Sequence, residues 1–378
     1  MRANIPKLSL IGALVILSSS ASGKNLSEAI ENVDVSGTIS YRYNDYESDK
    51  GAGKTENFYK AALNLSTKVN DDIKVSTRFL AEDFASNTGN EANKNVDVEL
   101  SEANFTYLGS ENLSVTVGKQ AVVSPWTISR DSLGDENTGS GIYSVYTTDY
   151  VTFSGAYFNQ TNFNTADIST WNGITGIDGS ENFTMVGVTS SFAGLTLDVA
   201  YADLSDTFDT YTVGLAGSYD ISGVNISPFA RYTSLDLDNS SQDNSLWQLG
   251  LSASKGIFSV FAAYGETDKE GGKVSIDSSA KTNMDYAWRV TASNDADAAY
   301  TYIGGDVDVT KKVNLGLFYS NADYGSHSRA DAKDLTNIFG QVTYKMSKNL
   351  VTYVRYGTLE TKGEGTGMVG RLNIQYSF

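Results

Sequence analysis

The sequence predicts an all-β fold: a transmembrane antiparallel β-barrel of about 18 strands. Three observations lead there. Side-chain polarity alternates with period two from Val33 onward. Short turns alternate with long polar stretches between the apolar-polar segments. The last residues, Gly370, Leu372, Ile374, Tyr376 and Phe378, alternate with Arg371, Asn373, Gln375 and Ser377 and end the chain on an aromatic ring.

The start of the chain reads as an export signal. Arg2 and Lys7 precede the apolar run Leu8 to Leu17, and small residues follow from Ser18 to Gly23. That run is shorter than the roughly 20 apolar residues a spanning helix needs. Residues 1–23 are therefore expected to be a signal peptide, 24–32 a short N-terminal segment and 33–378 a single barrel domain. With so little chain ahead of the barrel, a globular plug domain is not expected. No later stretch is apolar and long enough for a transmembrane helix, which a barrel does not need, because only alternate strand residues face lipid.

The first strand sets the pattern. Val33, Val35, Gly37, Ile39, Tyr41 and Tyr43 share one face, and Asp34, Ser36, Thr38, Ser40 and Arg42 share the other. Next, Tyr59, Ala61, Leu63 and Leu65 oppose Lys60, Asn64 and Ser66, and after Asn70-Asp71-Asp72 the residues Ile73, Val75 and Phe79 oppose Lys74, Ser76 and Arg78. Leu195, Leu197, Val199 and Tyr201 repeat it, as do Val313, Leu315, Leu317 and Tyr319. Short turns are expected at 70–72, 109–112, 148–149, 222–223, 310–312 and 347–349. Loops are expected at 44–57, 85–97, 120–140, 159–182, 235–244, 266–295 and 323–334. Alternation breaks at 98–108 and 286–304, where bulges are expected. A soluble β-sandwich would show similar alternation, but about 18 strands without a domain boundary exceed it.

Composition narrows the function. There are 23 Tyr and 16 Phe but only 3 Pro and no Cys. Tyrosines suit strands and interfacial girdles, and the absence of Cys excludes disulfides and thiolate chemistry. The net charge is −17, or about −19 once Arg2 and Lys7 leave with the signal, which argues against a nucleic-acid partner. It also predicts a field that draws cations to a pore mouth. The only histidine is His327, and no Ser-His-Asp arrangement is evident around it, so no enzyme is expected. No loop carries an EF-hand series.

A barrel of this size leaves an aqueous channel. Loops 120–140, 159–182 and 266–295 are long enough to fold inward and narrow it. The expected constriction sets Arg130, Asp131, Asp135 and Glu136 of the first loop against Arg42, Arg78, Arg231 and Arg371 on polar strand faces, with Arg355 as a further member. The reading is an outer-membrane pore for passive diffusion of small hydrophilic solutes and ions, weakly cation-selective. Its partners are outer-membrane lipid and lipopolysaccharide, and no cofactor is required. Two alternatives stay open. One is a substrate-specific channel for sugars or carboxylates, with Tyr43, Tyr107 and Trp126 as a stacking track. The other is a surface adhesin or structural barrel.

The stretch from Asn25-Leu-Ser-Glu-Ala-Ile to Tyr41-Arg-Tyr43, the segment Val117-Gly-Lys-Gln120 with Trp126-Thr127, Asp268-Lys269-Glu270 and the closing Arg371 to Phe378 resemble the Campylobacter-type major outer membrane protein porins. The terminal Phe strand also resembles the recognition signal of outer-membrane assembly. The family resemblance implies an 18-stranded homotrimer with a constriction and a cation preference. It further implies a divalent cation such as Ca2+ held by inward-loop acids, here near Asp131, Asp167 and Asp285. Pro125 and Arg130 depart from the family pattern.

Overall fold

The computed structural model describes residues 33–378 apart from 49–50, 88–95, 135, 165–173, 175 and 293. The proposed signal, the segment 24–32, Asp135 and Asp167 therefore lie outside the described residues. The strands are β1 (Asp34–Ser48), β2 (Gly51–Lys68), β3 (Ile73–Ser86), β4 (Glu99–Tyr107), β5 (Leu113–Ala121), β6 (Thr138–Thr147), β7 (Val151–Thr161), β8 (Phe183–Phe192), β9 (Leu195–Leu204) and β10 (Phe208–Gly217). They continue as β11 (Tyr219–Ile221), β12 (Val224–Leu237), β13 (Asp243–Lys255), β14 (Phe258–Thr267), β15 (Ala298–Asp308), β16 (Val313–Tyr324), β17 (Leu335–Lys345), β18 (Leu350–Thr361) and β19 (Gly365–Ser377). The short β11 extends β10 across Ser218, and both pair with β12, so the wall is crossed 18 times.

Each strand pairs antiparallel with the next, and β1 pairs with β19 to close the ring, Thr38 opposite Ser377 and Tyr46 opposite Val369. The terminal residue completes the seam. Phe378 N donates to Gly37 O at 3.0 Å and Gly37 N donates to Phe378 O at 2.9 Å. Glycine is needed at 37, since a Cβ there would meet Ala62 O at 2.3 Å and the Phe378 ring at 2.7 Å. Closure leaves no strand edge, as a membrane demands.

Outward positions carry Val35, Ile39, Val117, Val260 and Leu317, all 50–65% exposed. In a soluble protein such an apolar belt would be a liability; here it meets lipid. Tyr201, Tyr211, Tyr232 and Trp247 form an aromatic girdle where the wall meets the long loops.

The structure bears out one expectation about segments and changes two. Residues 44–48 and 51–57 extend strands β1 and β2 instead of looping, with Asn44 opposite Glu56 and Tyr46 opposite Lys54. Polar residues stay laddered there because the wall continues beyond the lipid. The irregularity at 98–108 is a register shift of β3 against β4 between Arg78 and Phe79. That at 286–304 is a loop running into β15, not a bulge.

The lumen is also not polar all round. Inward residues Phe158, Phe183, Met185, Leu204 and Phe208 form a dry patch on β7–β10. Val122 and Trp126 of loop 122–137, Phe163 and Ile174 of loop 162–182, and Ile276 of loop 268–297 pack on it. Trp126 O accepts from the amides of both Ile276 and Asp277 at 3.0 Å. A second cluster seats Val274, Met284 and Val290 against Leu246, Tyr300 and Tyr302. The Tyr302 hydroxyl donates to Met284 O at 3.0 Å and Val290 O at 3.1 Å. Burial of side chains this large stabilises by roughly 1.5–3 kcal/mol each, enough to hold three loops inside the barrel. Neither cluster includes a residue of the opposite arc, formed by β18, β19, β1, β2 and β3.

Candidate channel constriction

On that arc the register places basic residues side by side. Arg355 of β18 lies directly opposite Arg371 of β19, and Arg42 of β1 opposite Asn373, one row away. Like charges directly opposite on a sheet are unfavourable. The chain holds them through neutral amides. Arg355 Nε donates to Gln341 at 2.5 Å, Arg371 Nε to Asn44 at 2.8 Å and Arg42 Nε to Asn373 at 3.2 Å. Among the described residues no carboxylate comes within 4.0 Å of these three guanidiniums. Aromatic faces cover two of them instead. Arg355 lies 4.6 Å over Tyr353, and Arg371 lies 5.1 Å over Trp288 of loop 268–297. Each guanidinium therefore keeps donors for a solute.

Two acids face this ladder from the loops. Asp131 is in electrostatic reach of Arg42, and its neighbour Ser132 accepts from Arg42 Nη2 at 3.4 Å. Asp285 is in reach of Arg355 and Arg371 and is held by the hydroxyls of Ser279 at 2.7 Å and Thr291 at 3.0 Å. Its side chain is open to pore water yet surrounded by barrel and loop. Burial pushes its carboxyl above the ordinary aspartate range, against the pull of Ser279, Thr291 and the arginines. As pH falls through that raised value, above the ordinary aspartate pKa of about 3.9, the eyelet loses a negative charge. Anion preference should therefore rise on acidification, read as a shift of zero-current potential, and the shift should vanish in Asp285→Asn.

The remaining expected site residues have other roles. Glu136 is almost fully buried and receives Arg78 through both oxygens, at 2.7 and 2.5 Å. Lys60 lies 3.3 Å from Glu136 and donates to Gly134 O at 2.6 Å. Arg130 pairs with Glu102 and lies 3.8 Å from Glu136. These charges fasten loop 122–137 to β2, β3 and β4. Arg231 pairs with Asp198 at 2.8 Å across the barrel wall, away from the ladder. Tyr43 and Tyr107 point outward and Trp126 is completely buried, so the expected stacking track does not exist. Among the described residues no group of three or more His, Cys, Asp or Glu is placed to hold a metal, and Asp131 and Asp285 do not form one. His327 Nδ1 contacts both Ser326 at 3.2 Å and Asp297 at 3.1 Å. A catalytic relay uses opposite ring nitrogens for those two partners. Tyr353, Trp288 and Lys60 were not expected at the site. Tyr353 shares the Arg355 face by its two-residue spacing, whereas Trp288 sits in a loop with no periodicity to reveal it.

A family model described as Gram-negative porin matches residues 11–364. The chain belongs to the Gram-negative porins. It is thus a channel protein of the bacterial outer membrane, not an enzyme family member. No curated protein sequence matches it. Solved structures share the porin's fold at low identity. OpdQ of Pseudomonas aeruginosa is 14% identical with a TM-score of 0.74, covering 92% of this chain and 98% of that one. OccK2 (OpdF) of P. aeruginosa, solved in complex with glucuronate, is 13% identical with a TM-score of 0.73 over 92% and 98%. A BenF-like porin of Pseudomonas fluorescens Pf-5 is 15% identical with a TM-score of 0.74 over 92% and 99%.

Proposed function

We propose that this porin passes small hydrophilic solutes through an eyelet that favours those carrying a carboxylate. The observation behind this is the trio Arg42, Arg355 and Arg371, charged and unpaired by any described carboxylate, with Arg355 and Arg371 backed by aromatic rings. Arginine forks match carboxylates bidentately, and guanidiniums already held by neutral amides cost little to position. Asp131 and Asp285 opposite them supply the transverse field that orients a polar solute. The glucuronate in OccK2 is consistent with such a substrate class.

Vesicle uptake tests the reading. A small carboxylate should enter faster than its neutral amide of equal size, and equal or slower entry would refute it. Weak cation selectivity is the second reading, favoured by the acids crowding the mouth, where Asp203 lies in the field of Asp206, Asp209 and Asp238. Trimeric assembly, lipopolysaccharide contact and kinship with the Campylobacter-type porins belong to the same proposal, carried by the apolar outer belt and the quoted end motifs.

A further inference from the structure

Below the eyelet, at the short-turn end of the lumen, a cavity of about 320 Å³ opens between β12 and β16. Two rows of directly opposed inward residues build it. The lower row runs Asn225, Ser254, Ser259 and Asp306. The upper row runs Ser227, Ser252, Phe261, Gly304 and Phe318. Hydroxyls thus form one side and two rings the other. Phe261 and Phe318 stand two strands apart, about 10 Å, with only Gly304 between. A Cβ at 304 would meet the Phe318 ring at 2.4 Å, so glycine there lets that ring lie flat over β15 at the cavity's edge. Both rings are braced from behind, Phe261 by Phe229 and Phe318 by Phe339. Asp306 is aimed by Asn314, which donates to it at 2.7 Å.

None of the four serine hydroxyls bonds to protein among the described residues. A lumen wall needs only wettability, which serines alone would give. Braced half-buried rings beside free hydroxyls and one acid instead match a molecule with an apolar face and hydroxyl edges. We infer that this cavity is a binding subsite for neutral polyhydroxylated rings of monosaccharide size. Ring carbons lie against Phe261 and Phe318, and hydroxyls bond to the serines and Asp306. The volume lies at the low end of small-molecule sites, as a single sugar ring requires.

Ion current through the purified full chain in planar bilayers tests this, with glucose as the probe. Glucose should reduce the current saturably, beyond the reduction by a short poly(ethylene glycol) of equal size. Phe318→Ala should weaken the block roughly 3- to 10-fold, the worth of one ring contact. The pair Ser252→Ala and Ser254→Ala, which leaves the rings in place, should weaken it as well. Arg355→Gln should leave it unchanged while altering carboxylate uptake, which separates this subsite from the eyelet reading. A glucose effect no greater than that of the polymer, or one that survives both sets of substitutions, would overturn the inference.

Discussion

Replacing Glu136 by alanine is expected to release loop 122–137 from the wall and widen the channel. The carboxylate neutralises Arg78 and shares Lys60 with Glu82, the two cationic side chains being only 6% and 1% exposed. Removing one partner of a buried ion pair leaves charge without compensation and typically costs about 3–5 kcal/mol. Here the surrounding contacts decide how the loss appears. The barrel ladder stays intact, whereas the loop keeps its apolar packing around Trp126, the Arg130–Glu102 pair and the Lys60 bond to Gly134 O but loses its central charged anchor. Larger and noisier single-channel conductance with little change in barrel melting is the expected result. Glu136→Gln should fall between, since an amide still accepts from Arg78 but carries no charge. A conductance identical to that of the unmodified protein would show that the triad does not set the loop position.

The second large effect is on selectivity. Substituting both Arg355 and Arg371 by glutamine removes two unpaired positive charges from the eyelet and leaves Asp131 and Asp285 to dominate it. A charge-assisted contact is worth about 1.5–3 kcal/mol, so carboxylate permeability relative to a neutral analogue should fall by roughly 10-fold or more. Folding should tolerate the change, because the two like charges oppose each other across β18 and β19 and their removal relieves repulsion. Uptake rates in vesicles give the measurement. An unchanged ratio would place the selective contact elsewhere.

The wall was legible in the sequence because a barrel writes itself as alternation. Val35, Ile39 and Tyr41 share a face in any register, and the Arg371-x-Asn373-x-Gln375 face of the last strand follows from the same rule. That rule also argued against Tyr43 as a lumen residue, since it shares parity with Ile39. The site was less legible. Arg355 and Arg371 meet because the β18–β19 register sets them opposite, and no local pattern states that pairing. Glu136 reads as one acid in a polar loop, and its partners Arg78 and Lys60 lie 58 and 76 residues earlier. Asp285 follows the same logic, because its setting depends on how Met284 and Val290 dock against Tyr302. The dry patch of Phe158, Phe183 and Met185 replaces polar residues on the inward face and weakens the alternation, yet it is what pulls the loops inside.

The account rests on a passage that runs between the arginine ladder and Asp285. The chain has no cysteine, so Asp285→Cys creates a single thiol. A membrane-impermeant methanethiosulfonate reagent should then cut single-channel current sharply, and should leave the current untouched when the thiol is placed at the outward-facing Tyr356 instead. Current through Asp285→Cys that does not change on labelling would contradict the central claim, because solute and ions would then be crossing somewhere else.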